Sequence, residues 1–530
     1  MTVQLPKSGV PLLALLITVL FVAVQSALVW DGGLNGVFNS PDANANYHFA
    51  VNFYRTGSLR MPAADFDEPY RSLLSTRSTR VENGYLIPVG FPGMPVFYGL
   101  ISRVLFINLI PFLTLVFAAI ALFVFYLLLA DLFDSQTAVI AEGLLAIHPS
   151  WWYYTNESMM PNVLFAGVLL IACYLYHLAV RRSSYSLFAL AHVACLGALS
   201  IRGFEVLWVM PLVLLSPLLL NRTHRVRAYV ILFSMYAILG SFGWKLMTYL
   251  LGTNRPFGYD IDSSENGFGP WGVLFPDGLH FNSALQIGAA YLIRFLWPYA
   301  LLMLLGLLVL IRKKTHRRLG SGYALLLVYL IAFFIPVYSS LSVSDTSTPY
   351  TPGIALSYAR YFLPLFVAGI PAAAFGVRAL ARNSGKAGFF VMCIIILGIS
   401  FFTFSVDIVG SQDAFVAKKA TLHRYDETAT WIRSHTPEDS IIVTPRADKY
   451  IWPGRLTIAA TDHPLLPEAV RYFSSIRHTS MFYLDAVNAD ERRDAFLRAL
   501  TSVDMEIGAP LFDNGDVRLY PITESYDPAT

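Results

Sequence analysis

Charge is what this sequence lacks most: Asp, Glu, Lys and Arg make up 14% of its 530 residues, against 55% hydrophobic ones. With a mean hydropathy of +0.54, the chain reads as a polytopic membrane protein rather than a soluble domain. Its net charge of +3 is small, so nucleic acid is not an implied partner; in a membrane protein the distribution of charge between faces matters more than the sum. Cysteine is nearly absent. Cys173, Cys195 and Cys393 fall inside apolar segments and are expected to be buried thiols, not a disulfide framework or a CxxC metal site. Also missing, in any supporting context, are a Walker loop, HExxH, GxSxG and a dinucleotide fingerprint. There is no internal repeat and no low-complexity tract.

What the sequence does have is apolar runs. They recur at Val10–Val29, Leu109–Ala130, Thr137–Ile147, Val163–Val180, Leu187–Ser200, Val206–Leu220, Tyr229–Leu250, Leu285–Ile311, Tyr323–Val337, Phe362–Val377 and Phe389–Phe404, which gives about eleven transmembrane helices, some of them short. No small-residue cleavage pattern follows the first run, so it is expected to be a retained helix rather than a signal peptide. Alternating faces from the start puts Arg181-Arg182, Arg222/Arg225/Arg227, Arg312-Lys313-Lys314/Arg317-Arg318 and Arg378/Arg382/Lys386 on one side, in connections without an acidic residue. The positive-inside rule makes that side cytoplasmic, together with the N-terminus. The odd helix count sends the C-terminus outside, along with the elaborate connections Trp30–Asn108, His148–Asn162, Gly252–Ser283 and Ser339–Tyr361.

The expected domains are a membrane domain over 1–410 and an extracytoplasmic α/β domain over 411–530. In the second, Glu427–Ser434, Glu468–Ile476 and Asp490–Leu500 read as helices, Ser440–Thr444 and Thr479–Leu484 as strands, and Phe512–Val517 as a hairpin turn. Within the first outer loop, an amphipathic helix is expected from about Ala43 through Arg55, ended by Thr56-Gly57. The stretch Tyr85–Pro95, rich in Pro and Gly, is expected to be a shaped turn returning to the membrane.

Polar side chains concentrate on the outer side. The stretch Asp31-Gly-Gly-Leu-Asn-Gly-Val-Phe-Asn-Ser-Pro-Asp42-Ala-Asn-Ala-Asn-Tyr47-His48 follows the first span directly, so its polar groups emerge at a water boundary, as a catalytic loop would. Four features carry a resemblance over roughly the first three quarters of the chain: that acidic loop, with Asp42 ahead of Tyr47; the Pro88–Pro95 return; Pro149-Ser-Trp-Trp-Tyr-Tyr-Thr-Asn156-Glu157-Ser-Met-Met-Pro161 before a helix; and Tyr358-Ala-Arg360-Tyr361-Phe-Leu-Pro364. In their order and shared face they resemble the GT-C glycosyltransferases, near the protein O-mannosyltransferases and the bacterial aminoarabinose transferases. That family takes a sugar from a polyprenyl-phosphate carrier. One departure is that the family's first-loop acid is frequently followed by a second acid, where this chain has Ala43.

The resemblance implies a polytopic α-helical GT-C fold and transfer of a sugar from a polyprenyl phosphate to an extracytoplasmic acceptor. Such a displacement needs a carboxylate at the membrane surface as general base. Asp42 is the candidate for an inverting displacement, with Asp31 in reserve; the structural alternative for Asp42 is a helix N-cap. Glu157 is the second acid, orienting the acceptor or holding a metal, with Asn156 beside it. A divalent cation, Mg or Mn, would bind Asp42 and Glu157. The leaving phosphate calls for fixed cations: Arg360 first, then Arg202, with Lys245 and Arg294 as weaker candidates and pairing with Glu205 as the structural alternative for Arg202. Tyr47, His48 and Tyr361 are expected to contact substrate, although packing is the plainer role for His48. The glycine-rich loop Gly252–Ser283, with Trp271, Asp277 and His280, is expected to act as a lid. The competing classes are a transporter or flippase of lipid-linked sugars, which would show related halves and polarity at mid-membrane depth, and a non-enzymatic envelope assembly factor.

Overall fold

A computed structural model describes residues 9–31, 36–253, 274–275, 278–312, 317–339, 341, 352–381, 386–410, 414–486 and 490–525. The chain divides into two compact units: 1–32, 111–242 and 260–418 form one, and 33–110, 243–259 and 419–530 form the other.

The first unit is helical. Every apolar run identified above forms a helix, but among the described residues seven are long and apolar enough to cross a membrane, or eight if Phe281–Phe295 and Trp297–Arg312, bent by 90°, count as one span. The expected count of eleven is thus not confirmed among the described residues. At 1.5 Å per residue, the 12 residues of Ser135–Ala146 and the 17 of Tyr185–Ile201 fall short of a roughly 30 Å hydrocarbon layer. Gly203–Leu219 is a 3-10 turn, a helix containing Pro211 and a second 3-10 turn containing Pro217. Cys173 corrects another expectation, being exposed on Pro161–Arg182, whereas Cys195 is buried and all three cysteines are free. A membrane helix leaves apolar groups on its lipid side, so an apolar span does not imply a buried thiol.

Basic helix ends are tied to acids. Asp131 lies 2.8 Å from Arg181, and Asp134 caps Ser135–Ala146 through the Thr137 N–H while pairing with Arg378. These links bring Arg181 and Arg378 to one end of the unit. Trp297–Arg312 packs closely against Leu363–Ala381. A Cβ added at Gly306 would run into the Ala372 carbonyl, and one at Gly376 into the Leu302 carbonyl. Small residues here permit backbone contact, the usual basis of helix association in membranes. Gly306→Ala is expected to cost about 1–3 kcal/mol or more through overpacking, read as a lower unfolding midpoint in detergent; an unchanged midpoint would show that the two helices yield at no cost.

The second unit holds the first outer loop and the α/β segment. The expected helix runs Pro41–Thr56 and stops at Gly57, whose φ of +75° suits glycine. Tyr85–Pro88 is a strand and not a turn: it sits between Met61–Pro62 and Thr79–Glu82 in an antiparallel sheet. The cause lies just upstream. Asn83-Gly84 takes φ of +52° and +77° between the paired residues Glu82 and Tyr85, a two-residue hairpin that fixes the register of the strand after it. Pro95 then falls in the first turn of Gly93–Val104, where its missing N–H has no helical partner to lose.

The C-terminal sheet runs, in spatial order, Leu456–Ile458, Ile441–Val443, Met481–Ala486, Val517–Glu524 and Met505–Ile507. Its first two junctions are parallel and the others antiparallel, with Phe512–Asp513 paired to Val517–Glu524 through the expected hairpin. Helices form at Phe415–His435, Leu466–Arg471 and Asp490–Thr501. Leu73 and Leu74 from the first loop enter the same core as Ile441, Val443, Phe473 and Tyr483.

Candidate functional site

Asp42 lies in the first turn of Pro41–Thr56, whose N-cap is Ser40, so its carboxylate is not a capping group. Oδ1 accepts a 2.7 Å hydrogen bond from the hydroxyl of buried Ser78. One turn on, the Tyr47 ring lies 5.4 Å from Phe38 and 5.3 Å from His48, and burial raises its phenol pKa while Arg55 draws it down. His48 packs edge-on against Trp452 at 5.1 Å. Burial, with the Arg55 charge, lowers its pKa to about 4, so it is a neutral packing side chain near pH 7.

That shift makes a stability prediction. An unfolded histidine titrates at 6.5 and folded His48 at about 4, so the native state resists protonation. Stability is fully present above the unfolded value and is lost as pH falls from there toward the folded one. The unfolding midpoint is expected to drop over that window, and less steeply in His48→Phe; parallel curves for the two proteins would contradict it.

In the helical unit, three expected residues come together. The guanidinium carbons of Arg202 and Arg360 lie 5.7 and 5.2 Å from the centre of the Tyr361 ring, which stacks on Tyr338 at 5.1 Å. Arg360 donates to Ser357 Oγ at 2.9 Å, and its carbonyl accepts from Asn162 at 3.1 Å. Arg202 lies 2.7 Å from fully buried Glu205, which also accepts from the Trp208 indole; the pairing named as its structural alternative is therefore present.

Asn156 ends the helix Pro149–Asn156, and Glu157 is its C-cap residue. Both meet a residue that the sequence did not single out. Lys418 Nζ lies 2.6 Å from Glu157 and 3.3 Å from the Asn156 side-chain oxygen, and both charged side chains are less than a tenth exposed. Tyr154 ties this helix to the segment ahead of Arg360 by donating 2.8 Å to the Ile354 carbonyl, and Met160 Sδ contacts Arg360 Nη1 at 3.8 Å.

Lys245 is exposed on Arg222–Leu251, and Arg294 and His280 are exposed as well. Asp31 ends the first helix, but its side chain lies outside the described residues, as do 254–273 and 276–277, hence most of the expected lid with Trp271 and Asp277. Among the described residues, no group of three or more His, Cys, Asp or Glu side chains could hold a metal ion.

No protein-family model matches the sequence, and no curated protein matches it. Solved structures do match. ArnT from Cupriavidus metallidurans bound to undecaprenyl phosphate is 12% identical with a TM-score of 0.55, over 95% of this chain and 97% of that one. The Archaeoglobus fulgidus oligosaccharyltransferase tethered to an acceptor peptide is 11% identical with a TM-score of 0.54, over 96% of this chain and 74% of that one. The same oligosaccharyltransferase in complex with zinc and sulfate is 13% identical with a TM-score of 0.52, over 95% of this chain and 72% of that one. This chain therefore shares the largely helical fold of those proteins, and its C-terminal segment carries a small sheet.

Proposed function

We propose that the protein is a membrane glycosyltransferase that moves a sugar from a polyprenyl-phosphate carrier to an acceptor outside the cytoplasm. The observation that carries this reading is that Arg202 and Arg360 both lie against the ring of Tyr361. In this inverting displacement Asp42 takes the proton of the acceptor hydroxyl or amine. The acceptor atom bonds to the anomeric carbon, and the bond from that carbon to the phosphate oxygen breaks, its electron pair leaving with the lipid phosphate. Arg360, aided by Arg202, meets the charge that develops on that phosphate, a job for preorganised cations in a site poor in water. Undecaprenyl phosphate in the ArnT structure and the acceptor peptide in the oligosaccharyltransferase support a carrier-linked donor and an external acceptor.

Glu157 is, with Asp42, one of the two acids that the sequence offers to a metal. It already faces the Lys418 ammonium at 2.6 Å, so it does not fit a divalent cation as ligand, and no step is assigned to one; its role here is to hold Asn156 and the helix end through Lys418. The zinc in one related structure makes turnover after chelation the direct check of metal dependence.

The test of the phosphate site is Arg360→Ala. Losing a charge-assisted contact of about 1.5–3 kcal/mol is expected to weaken use of an undecaprenyl-phosphate sugar about 10–100-fold. Arg360→Lys should restore only part, because an ammonium lacks the planar fork. Unaltered kinetics in both variants would remove Arg360 from the site.

A further inference from the structure

The Asp42 carboxylate is not held by the first loop alone. Its partner Ser78 follows Arg77, and Arg77 is gripped by one carboxylate of the C-terminal domain. Asp448, fully buried, accepts from Arg77 Nε at 2.9 Å and Nη2 at 2.7 Å through Oδ1, and from the Arg77 backbone N–H at 2.9 Å through Oδ2. The guanidinium also donates to the Arg446 carbonyl at 2.9 Å. Backbone and side chain of Arg77 are thus fixed together, and the next residue is the serine that donates 2.7 Å to Asp42. Thr76 and Thr79 lock the same turn, with the Thr76 N–H donating 2.8 Å to the Thr79 hydroxyl.

The residues after Asp448 grip the Asp42 helix from its other side. Lys449 donates 3.3 Å to the Asn39 side-chain oxygen, just ahead of the helix cap. The Trp452 carbonyl accepts from buried Asn44 at 3.2 Å, and its ring packs against His48 and Phe49 at 5.1 and 6.1 Å. Three residues of one short stretch, Asp448, Lys449 and Trp452, therefore reach the start of this helix, its second turn and the turn that hydrogen-bonds its carboxylate. A passive cover would not need a buried, fully hydrogen-bonded carboxylate placed one residue away from the base's own partner.

We infer that Asp448, acting through Arg77 and Ser78, is a positioning residue for Asp42, so that the C-terminal domain is part of the base-orienting machinery. This rests on the reading of Asp42 as the base. Asp448 touches no reacting atom; it fixes where the Ser78 hydroxyl points, and Ser78 fixes the carboxylate oxygen.

The experiment uses full-length protein in nanodiscs, supplied with a panel of undecaprenyl-phosphate monosaccharides and a panel of hydroxyl- and amine-bearing lipid, peptide and glycan acceptors, with released undecaprenyl phosphate as readout. Asp448→Asn and Ser78→Ala are each expected to lower kcat about 10–100-fold, the range for partners that orient a functional group, with the donor KM unchanged. The double variant is expected to be no slower than Ser78→Ala, because both act through one hydrogen bond. Ser78→Thr, which keeps the hydroxyl, should recover most of the rate. Should Asp448→Asn not fold, Arg77→Lys breaks the same fork while keeping the charge and should give the same kcat loss. Losses that multiply in the double variant, or full kcat in Ser78→Ala and Arg77→Lys while Asp42→Asn is inactive, would overturn the positioning role and leave the base in place. An active Asp42→Asn would overturn both.

Discussion

Asp42→Asn is expected to lower turnover of a polyprenyl-phosphate sugar by about 10²–10⁴-fold, the contribution of a positioned general base. The substitution is nearly isosteric, so the side-chain oxygen can still accept from Ser78, which donates 2.7 Å to it in the wild type. The helix cap is Ser40, so no cap is lost. What disappears is a negative charge in the first helical turn, worth about 0.3–1 kcal/mol of stability. Rate and stability therefore separate: a collapse of turnover with a nearly unchanged unfolding midpoint is the expected pattern. Turnover retained within a few-fold of wild type would remove Asp42 as the base and return it to the role of an ordinary first-turn acid.

The second large effect concerns folding. Lys418→Met leaves Glu157 charged and buried, without the ammonium that stands 2.6 Å away in the wild type. Removing one partner of a buried pair costs about 3–5 kcal/mol, whereas replacing both is often neutral. Lys418→Met alone should therefore unfold at a clearly lower temperature in detergent, and Glu157→Gln with Lys418→Met should recover most of the loss. A stable single variant whose turnover becomes dependent on a divalent cation would show instead that Glu157 is a metal ligand that Lys418 holds in check.

Much of this architecture was legible because the forces that set it are local. The helix carrying Asp42 starts beside a proline and stops at a glycine with φ of +75°, and both signals are written in the sequence. The apolar runs announced their helices. Their ability to span was not legible to the same degree, since hydropathy does not report where the helix Val206–Leu215 gives way to a 3-10 turn at Pro217 or where Phe281–Arg312 bends by 90°. The strand Tyr85–Pro88 was hidden by its own proline and by the Pro and Gly residues that follow it to Pro95, although Asn83-Gly84 just ahead is a hairpin signal.

In the candidate site, the residue types were readable and their partners were not. Arg202 and Arg360 were singled out because few cations fall on the side read as outer, Tyr361 because it follows Arg360 in the same motif, and the three share one cluster. Lys418 and Asp448 were not singled out. Each reaches a partner hundreds of residues away, Lys418 to Glu157 and Asp448 to Arg77, and no local spacing encodes a contact of that kind. Their burial, not their position in sequence, is the informative property, since a charge is found at such depth only when paired.

The most direct measurement is native mass spectrometry of the protein released from membranes, with undecaprenyl phosphate added and undecaprenol as the uncharged control. The expected result is a bound undecaprenyl phosphate that survives gentle activation, no comparable adduct with undecaprenol, and loss of the adduct in Arg360→Ala. Equal retention of both lipids, or an undiminished phosphate adduct in Arg360→Ala, would contradict a phosphate-binding centre at Arg360 and with it the glycosyl-transfer reading.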